Sequence, residues 1–171
     1  GRVLSLKKRL FLQQIGSEDT LDPPVETGAA LALAYMKAEK YLEAYFFLPL
    51  VEENCERTGG FLEDWAALDK VRAEIAEKFG RDALIRAYLE LEFSPVPKKQ
   101  KAEIDELVGQ MKEDRIDLQE EAFNRLRKMG PAISPYLAGK LEGRDVEVAS
   151  RLREILAGHA EKVLRERFLK E

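Results

Sequence analysis

The sequence predicts an all-α protein built from stacked antiparallel helical hairpins. Apolar residues recur at spacings of three and four through nearly every segment, β-branched residues are few, and glycines stand singly between long segments. At 171 residues the chain makes one ordinary domain or two small ones and buries roughly two thirds of its unfolded surface.

The first segment, VLSLKKRLFLQQI, sets Val3, Leu6 and Leu10 on one stripe with Lys7, Lys8 and Arg9 beside it. We expect that stripe to pack inward as a leading helix, with contact to a membrane surface as the alternative. GSEDTLDPPVETG joins glycine, acids and Pro-Pro and is expected to be a loop. Helices follow over about 26–37 and about 40–57, and RTGG interrupts the chain. The stretch from Tyr35 to Phe47 crowds five aromatic rings together. Tyr41 to Val51 carries one charge, Glu43, so this helix should lie centrally, with the rings mostly in the core. Tyr45 and Phe46 point off its strongest stripe and are candidates to line a peptide groove, with Arg57 nearby.

FLEDWAALDKVRAEIAEKF places Phe61, Leu62, Trp65, Leu68, Val71, Ile75 and Phe79 at helical spacing, and Gly80 ends it. Asp82 is the candidate N-cap of ALIRAYLELEF. SPVPKKQ then brings two prolines and a basic pair, and we expect it to separate subdomains at 1–97 and 98–171. The net charge is -5 before that boundary and +1 after it.

Beyond the boundary, sliding the chain thirty residues along itself superposes Leu107 on Leu137, Met111 on Leu141, Leu118 on Val148, Ala122 on Leu152 and Leu126 on Leu156. Each unit reads as helix, polar turn, helix: 102–112 with 117–128, then 131–141 with 145 onward through about Leu169. Asp117 and Asp145 stand as N-caps, and Pro131 follows Gly130 in the order that ends one helix and starts the next. A unit so short cannot bury its apolar faces alone, so neighbours must stack.

LRKMGPAISPYLAGKLEGRDVEVASRLREIL resembles HEAT-like repeats, in which a G-P-A-x-x-P-x-L start leads to a D-x-E-V-x-x-R-x-x-x-x-L second helix. The likeness covers about 102–156, and it departs where Ala149 and Ser150 stand in place of arginine or other polar residues. Leu31, Ala32, Tyr35, Tyr41, Ala44, Leu48 and Val51 resemble one tetratricopeptide unit over about 28–57, with Glu39 in place of the usual turn glycine and the closing proline absent. Both resemblances imply a helical scaffold that binds another protein. The HEAT-like one also implies nucleic-acid binding as an alternative.

Catalytic patterns are sparse. His159 is the single histidine, and Glu154 and Glu161 stand five and two residues from it, spacings that share no helix face. We expect it to face solvent near a helix break at Gly158. Cys55, the single cysteine, is expected at a helix C-terminus, where the dipole disfavours thiolate. One cysteine and one histidine exclude a Cys/His zinc cluster, and the lone thiol fits a reducing, cytoplasmic setting. The pairs Glu52/Glu53, Asp105/Glu106, Glu113/Asp114 and Glu120/Glu121 are sequence neighbours, so their members diverge by about 100° on a helix. GRDAL and GRDVE offer one glycine each, too few for a phosphate loop.

A net charge of -4 gives no field that would draw nucleic acid, although Lys98, Lys99, Lys101 and the C-terminal basic residues keep that reading open. No apolar run approaches the ~20 residues that span a bilayer. The chain opens on Gly1 rather than Met and is expected to be a piece of a longer protein. The reading is therefore a non-catalytic scaffold with no cofactor or metal and a protein or peptide partner. Its contact residues are Tyr45, Phe46 and Arg57 in the first subdomain and Arg144, Arg151 and Arg153 in the second. An enzyme whose carboxylates converge only in three dimensions is a further alternative, and the sequence leaves the oligomeric state open.

Overall fold

The computed structural model describes residues 2–15, 25–59, 62–143 and 145–170. The loop expected over GSEDTLDPPVETG falls largely outside them, as do Gly60, Phe61 and Arg144. The described residues form nine α-helices and one 3-10 turn, with no strand. In chain order these are α1 (Arg2–Gln14), α2 (Val25–Lys37), α3 (Tyr41–Thr58), α4 (Leu62–Lys78), α5 (Arg81–Leu89), α6 (Lys98–Gln110), α7 (Ile116–Lys128), a 3-10 turn (Pro131–Ile133), α8 (Ser134–Ala138) and α9 (Val146–Lys170).

The chain folds as two compact units, one of Gly1–Gly80 with Phe168–Glu171 and one of Arg81–Arg167. In the first, α2, α3 and α4 pack against one another and α1 lies on α2. Ala32 and Ala44 are fully buried and let α2 and α3 approach. Gly28 tightens the same seam, since a Cβ there would stand 2.7 Å from Val51 Cγ1 and 2.9 Å from Phe11 Cζ. Phe47 sits with its ring centroid 5.1 Å from Phe11 and 5.9 Å from Tyr35, so these rings are core. Tyr35 donates to the Leu4 carbonyl at 3.3 Å, and burial first, then Glu43, pushes its pKa up to about 12. The turn from α2 to α3 places Glu39 at a φ of 56°, a left-handed position that glycine usually takes. It is closed by the Lys40 amide on the Tyr35 carbonyl at 2.9 Å.

In the second unit one apolar cluster draws on every helix. It includes Ile85 from α5, Ile104 and Leu107 from α6, Leu126 from α7, Leu137 from α8 and Leu152 from α9. Of the positions paired by the thirty-residue shift, Leu107, Met111, Ala122, Leu126, Leu137, Val148, Leu152 and Leu156 lie in this cluster and Leu141 packs on it, while Leu118 is half-buried. SPVPKKQ, expected as the boundary, is mostly a non-helical connection inside this unit that runs into the start of α6. The physical reason is α5, whose Ile85 joins the common core and whose Tyr88 donates to the Pro131 carbonyl at 2.8 Å.

Local details depart from the sequence reading. Asp145 does cap α9, accepting from the Glu147 amide at 2.8 Å. Asp117 does not cap α7: Arg115 holds the N-cap position, and Asp117 sits in the first turn paired with it. The helix expected over 131–141 is a 3-10 turn and the short α8, because Pro135 would stand inside that helix and has no amide to give the Pro131 carbonyl, which takes the Tyr88 hydroxyl instead. α9 runs without a break through Gly158.

Candidate functional site

The first helix turns an unexpected face inward. Lys8 and Phe11 are buried and Leu4 is half-buried, whereas Val3, Leu6 and Leu10, expected to pack, are 68%, 60% and 52% exposed. The reason is the partner available to Lys8. Its ammonium donates to the Phe168 carbonyl at 2.7 Å and lies 4.2 Å from the centre of that ring. A buried cation is tolerable when it meets an orphan carbonyl at the negative end of a helix and an aromatic face.

Beside the exposed stripe runs an open apolar groove of about 590 Å³ between α1 and α2. α1 contributes Leu4, Lys7, Leu10, Phe11 and Gln14 to it, and α2 contributes Thr27, Ala30, Leu31 and Ala34. Thr27, Ala30 and Ala34 recur at helical spacing and keep the α2 wall low. Among the described lining residues Lys7 is the one charged side chain, and none is a carboxylate. Sequence periodicity alone favoured the wrong stripe here. The correct one, Leu4, Lys8, Phe11 and Ile15, was spaced equally well but carried a lysine.

The residues singled out from the sequence are not gathered at this groove. Phe46 is a correction: it is 5% exposed, with its ring 6.1 Å from that of Phe168, and belongs to the core. Tyr45 is half-buried, edge-on to Phe46 at 5.1 Å and 5.6 Å from Phe79. Arg57 is exposed at the end of α3 and donates to Asn54 Oδ1 at 3.2 Å. Arg151 is held by Glu120 at 3.0 Å and approaches Glu147 at 3.9 Å. Arg153 is exposed, and two residues along a helix it diverges from Arg151.

His159 is a second correction. Far from facing solvent it is 5% exposed, with Nδ1 at 3.0 Å from Ser134 Oγ and Nε2 at 3.1 Å from the Arg127 carbonyl. A carbonyl can only accept, so Nε2 carries the proton and Nδ1 accepts from Ser134. Tyr88 lies within hydrogen-bond distance of Ser134 Oγ at 3.1 Å. Burial pushes the His159 pKa down, the Arg127 carbonyl opposes that shift, and Lys162 adds to it. Ser134 is fully buried, and with His159, Tyr88 and the Arg127 carbonyl it forms a satisfied polar linkage that ties α5, α7, α8 and α9 together.

Several basic residues of the second unit are engaged. Lys140 pairs with Asp105 at 2.6 Å, and that carboxylate also accepts from the Tyr136 hydroxyl at 2.9 Å. The Lys140 ammonium lies 4.6 Å from the centre of the Tyr136 ring and that of Lys101 5.3 Å, while Arg125 pairs with Glu103 at 2.9 Å. Among the described residues no group of histidine, cysteine, aspartate and glutamate side chains is placed to hold a metal, and no helix is long and apolar enough to cross a membrane.

No family model, curated protein or solved structure matches this chain.

Proposed function

We propose that this chain is a non-catalytic helical-repeat scaffold that binds another protein, with the α1–α2 face as its docking surface. On this reading the HEAT-like and tetratricopeptide-like stretches are stacked hairpins whose role is to present that face, in a reducing, cytoplasmic setting. The observation that carries it is the exposure of Val3, Leu6 and Leu10 beside an apolar groove. Three large apolar side chains on one face, next to an open cleft, mark an interaction surface more than a solvated one. The alternative of nucleic-acid binding has less behind it, because the net charge of -4 gives no field that would draw nucleic acid and Arg151, one of its basic residues, is held by Glu120.

The test is comparative capture. A partner retained by the parent chain and lost by the Leu6→Asp/Leu10→Asp variant supports docking at this face. Equal retention by both, or salt-sensitive retention of random duplex DNA in place of protein, overturns the proposal.

A further inference from the structure

We propose that the occupant of the α1–α2 groove is an amphipathic helix of another protein, with an apolar face and aspartate or glutamate flanking it. This deepens the docking reading above and rests on it. Three observations define the occupant.

The first is shape. A cleft of about 590 Å³ with a low wall of Thr27, Ala30 and Ala34 on one side and Leu4 and Phe11 on the other receives side chains projecting from a rod. The second is the exposed stripe on the rim, where Val3, Leu6 and Leu10 stand at i, i+3 and i+7. That repeat matches the face of a second helix lying alongside. The third is charge. Among the described residues that line the groove, Lys7 is the one charged side chain and none is a carboxylate. Lys8 is spent internally on Phe168, while Lys7 is exposed on the groove wall. An acidic flank therefore meets attraction at Lys7, and a basic one meets repulsion.

The same charge disfavours a second copy docking α1 against α1, which would bring like charges together. A lipid surface fits the rim but leaves the concave floor unfilled.

The experiment uses the whole chain and fluorescent peptide helices of about 18 residues, long enough to hold helical structure when docked. One carries leucines at i, i+3, i+4 and i+7 with glutamates between, a second replaces the glutamates by lysines, and a third scrambles the acidic sequence. We expect the acidic amphipathic peptide to bind. Its affinity should fall at least about thirtyfold in Leu6→Asp/Leu10→Asp, as for central anchors, and roughly tenfold in Lys7→Glu, as for a rim charge reversal. The substituted leucines are exposed in the free chain, so helix content and thermal midpoint should match the parent.

Equal binding of the scrambled or the basic peptide overturns the acidic-helix assignment while leaving protein docking standing. Binding of phosphatidylserine vesicles, but no peptide, that depends on Leu6 and Leu10 overturns both assignments in favour of a lipid surface. Self-association in sedimentation that the same substitutions abolish replaces the acidic helix by a second copy. If nothing binds and the capture experiment also finds no dependence on Leu6 and Leu10, docking itself fails.

Discussion

Acidification should weaken this protein through His159. The imidazole is buried, and burial holds its pKa below the ordinary 6.5. Well above pH 6.5 the ring is neutral in both folded and unfolded chains and contributes no pH dependence. As pH falls below that value the unfolded chain takes up a proton that the folded one resists. Stability present above the unfolded pKa is therefore lost as pH drops toward the folded one. The slope is at most about 1.4 kcal/mol per pH unit.

The network can survive the proton. With Nδ1 donating to Ser134, the serine hydroxyl can turn toward Tyr88, whose own hydrogen stays on the Pro131 carbonyl. What remains is the cost of a buried cation, with Lys162 adding repulsion. The assay is urea unfolding of the parent and of His159→Gln at pH 7.5, 6.5 and 5.5. The neutral amide is expected to cost about 1–3 kcal/mol at pH 7.5. The parent's advantage should shrink by up to about 1 kcal/mol between pH 6.5 and 5.5. Carboxylates titrate in both proteins and cancel in the difference. An advantage that stays constant across the three pH values refutes the argument.

Two further substitutions test the cores of the two units. Tyr88→Phe strips a donor from the Pro131 carbonyl and a neighbour from Ser134, and a lower urea midpoint should report a loss of about 1–3 kcal/mol. Gly28→Ala gains about 1 kcal/mol of helix propensity, but its methyl collides with Val51 and Phe11. Overpacking of that kind costs about 1–3 kcal/mol. Calorimetry should therefore show a thermal midpoint at or below the parent's, and a clear rise would mean that the seam relaxes freely.

Helices were legible because their signal is local: three-and-four spacing places Leu68, Val71 and Ile75 in the interior of α4 from a single window of sequence. Most of the positions paired by the thirty-residue shift are apolar on helical spacing, and they share one core. The candidate site was not. α1 offered two apolar stripes, and the choice between them was made by Phe168, at the other end of the chain. Phe46 looked peripheral on its own helix, yet that same Phe168 covers it. His159 looked solvated because its partners, Ser134 and Arg127, are 25 and 32 residues away. In each case a side chain's environment was decided by a contact too distant for any periodicity to register.

The bond from Lys8 to Phe168 joins positions 160 residues apart. A lysine without that acceptor would keep its water, and α1 could not settle with Lys8 turned inward. Loss of the final turn of α9 would therefore be felt at once on α1, which trades its buried face for solvent when Phe168 is gone.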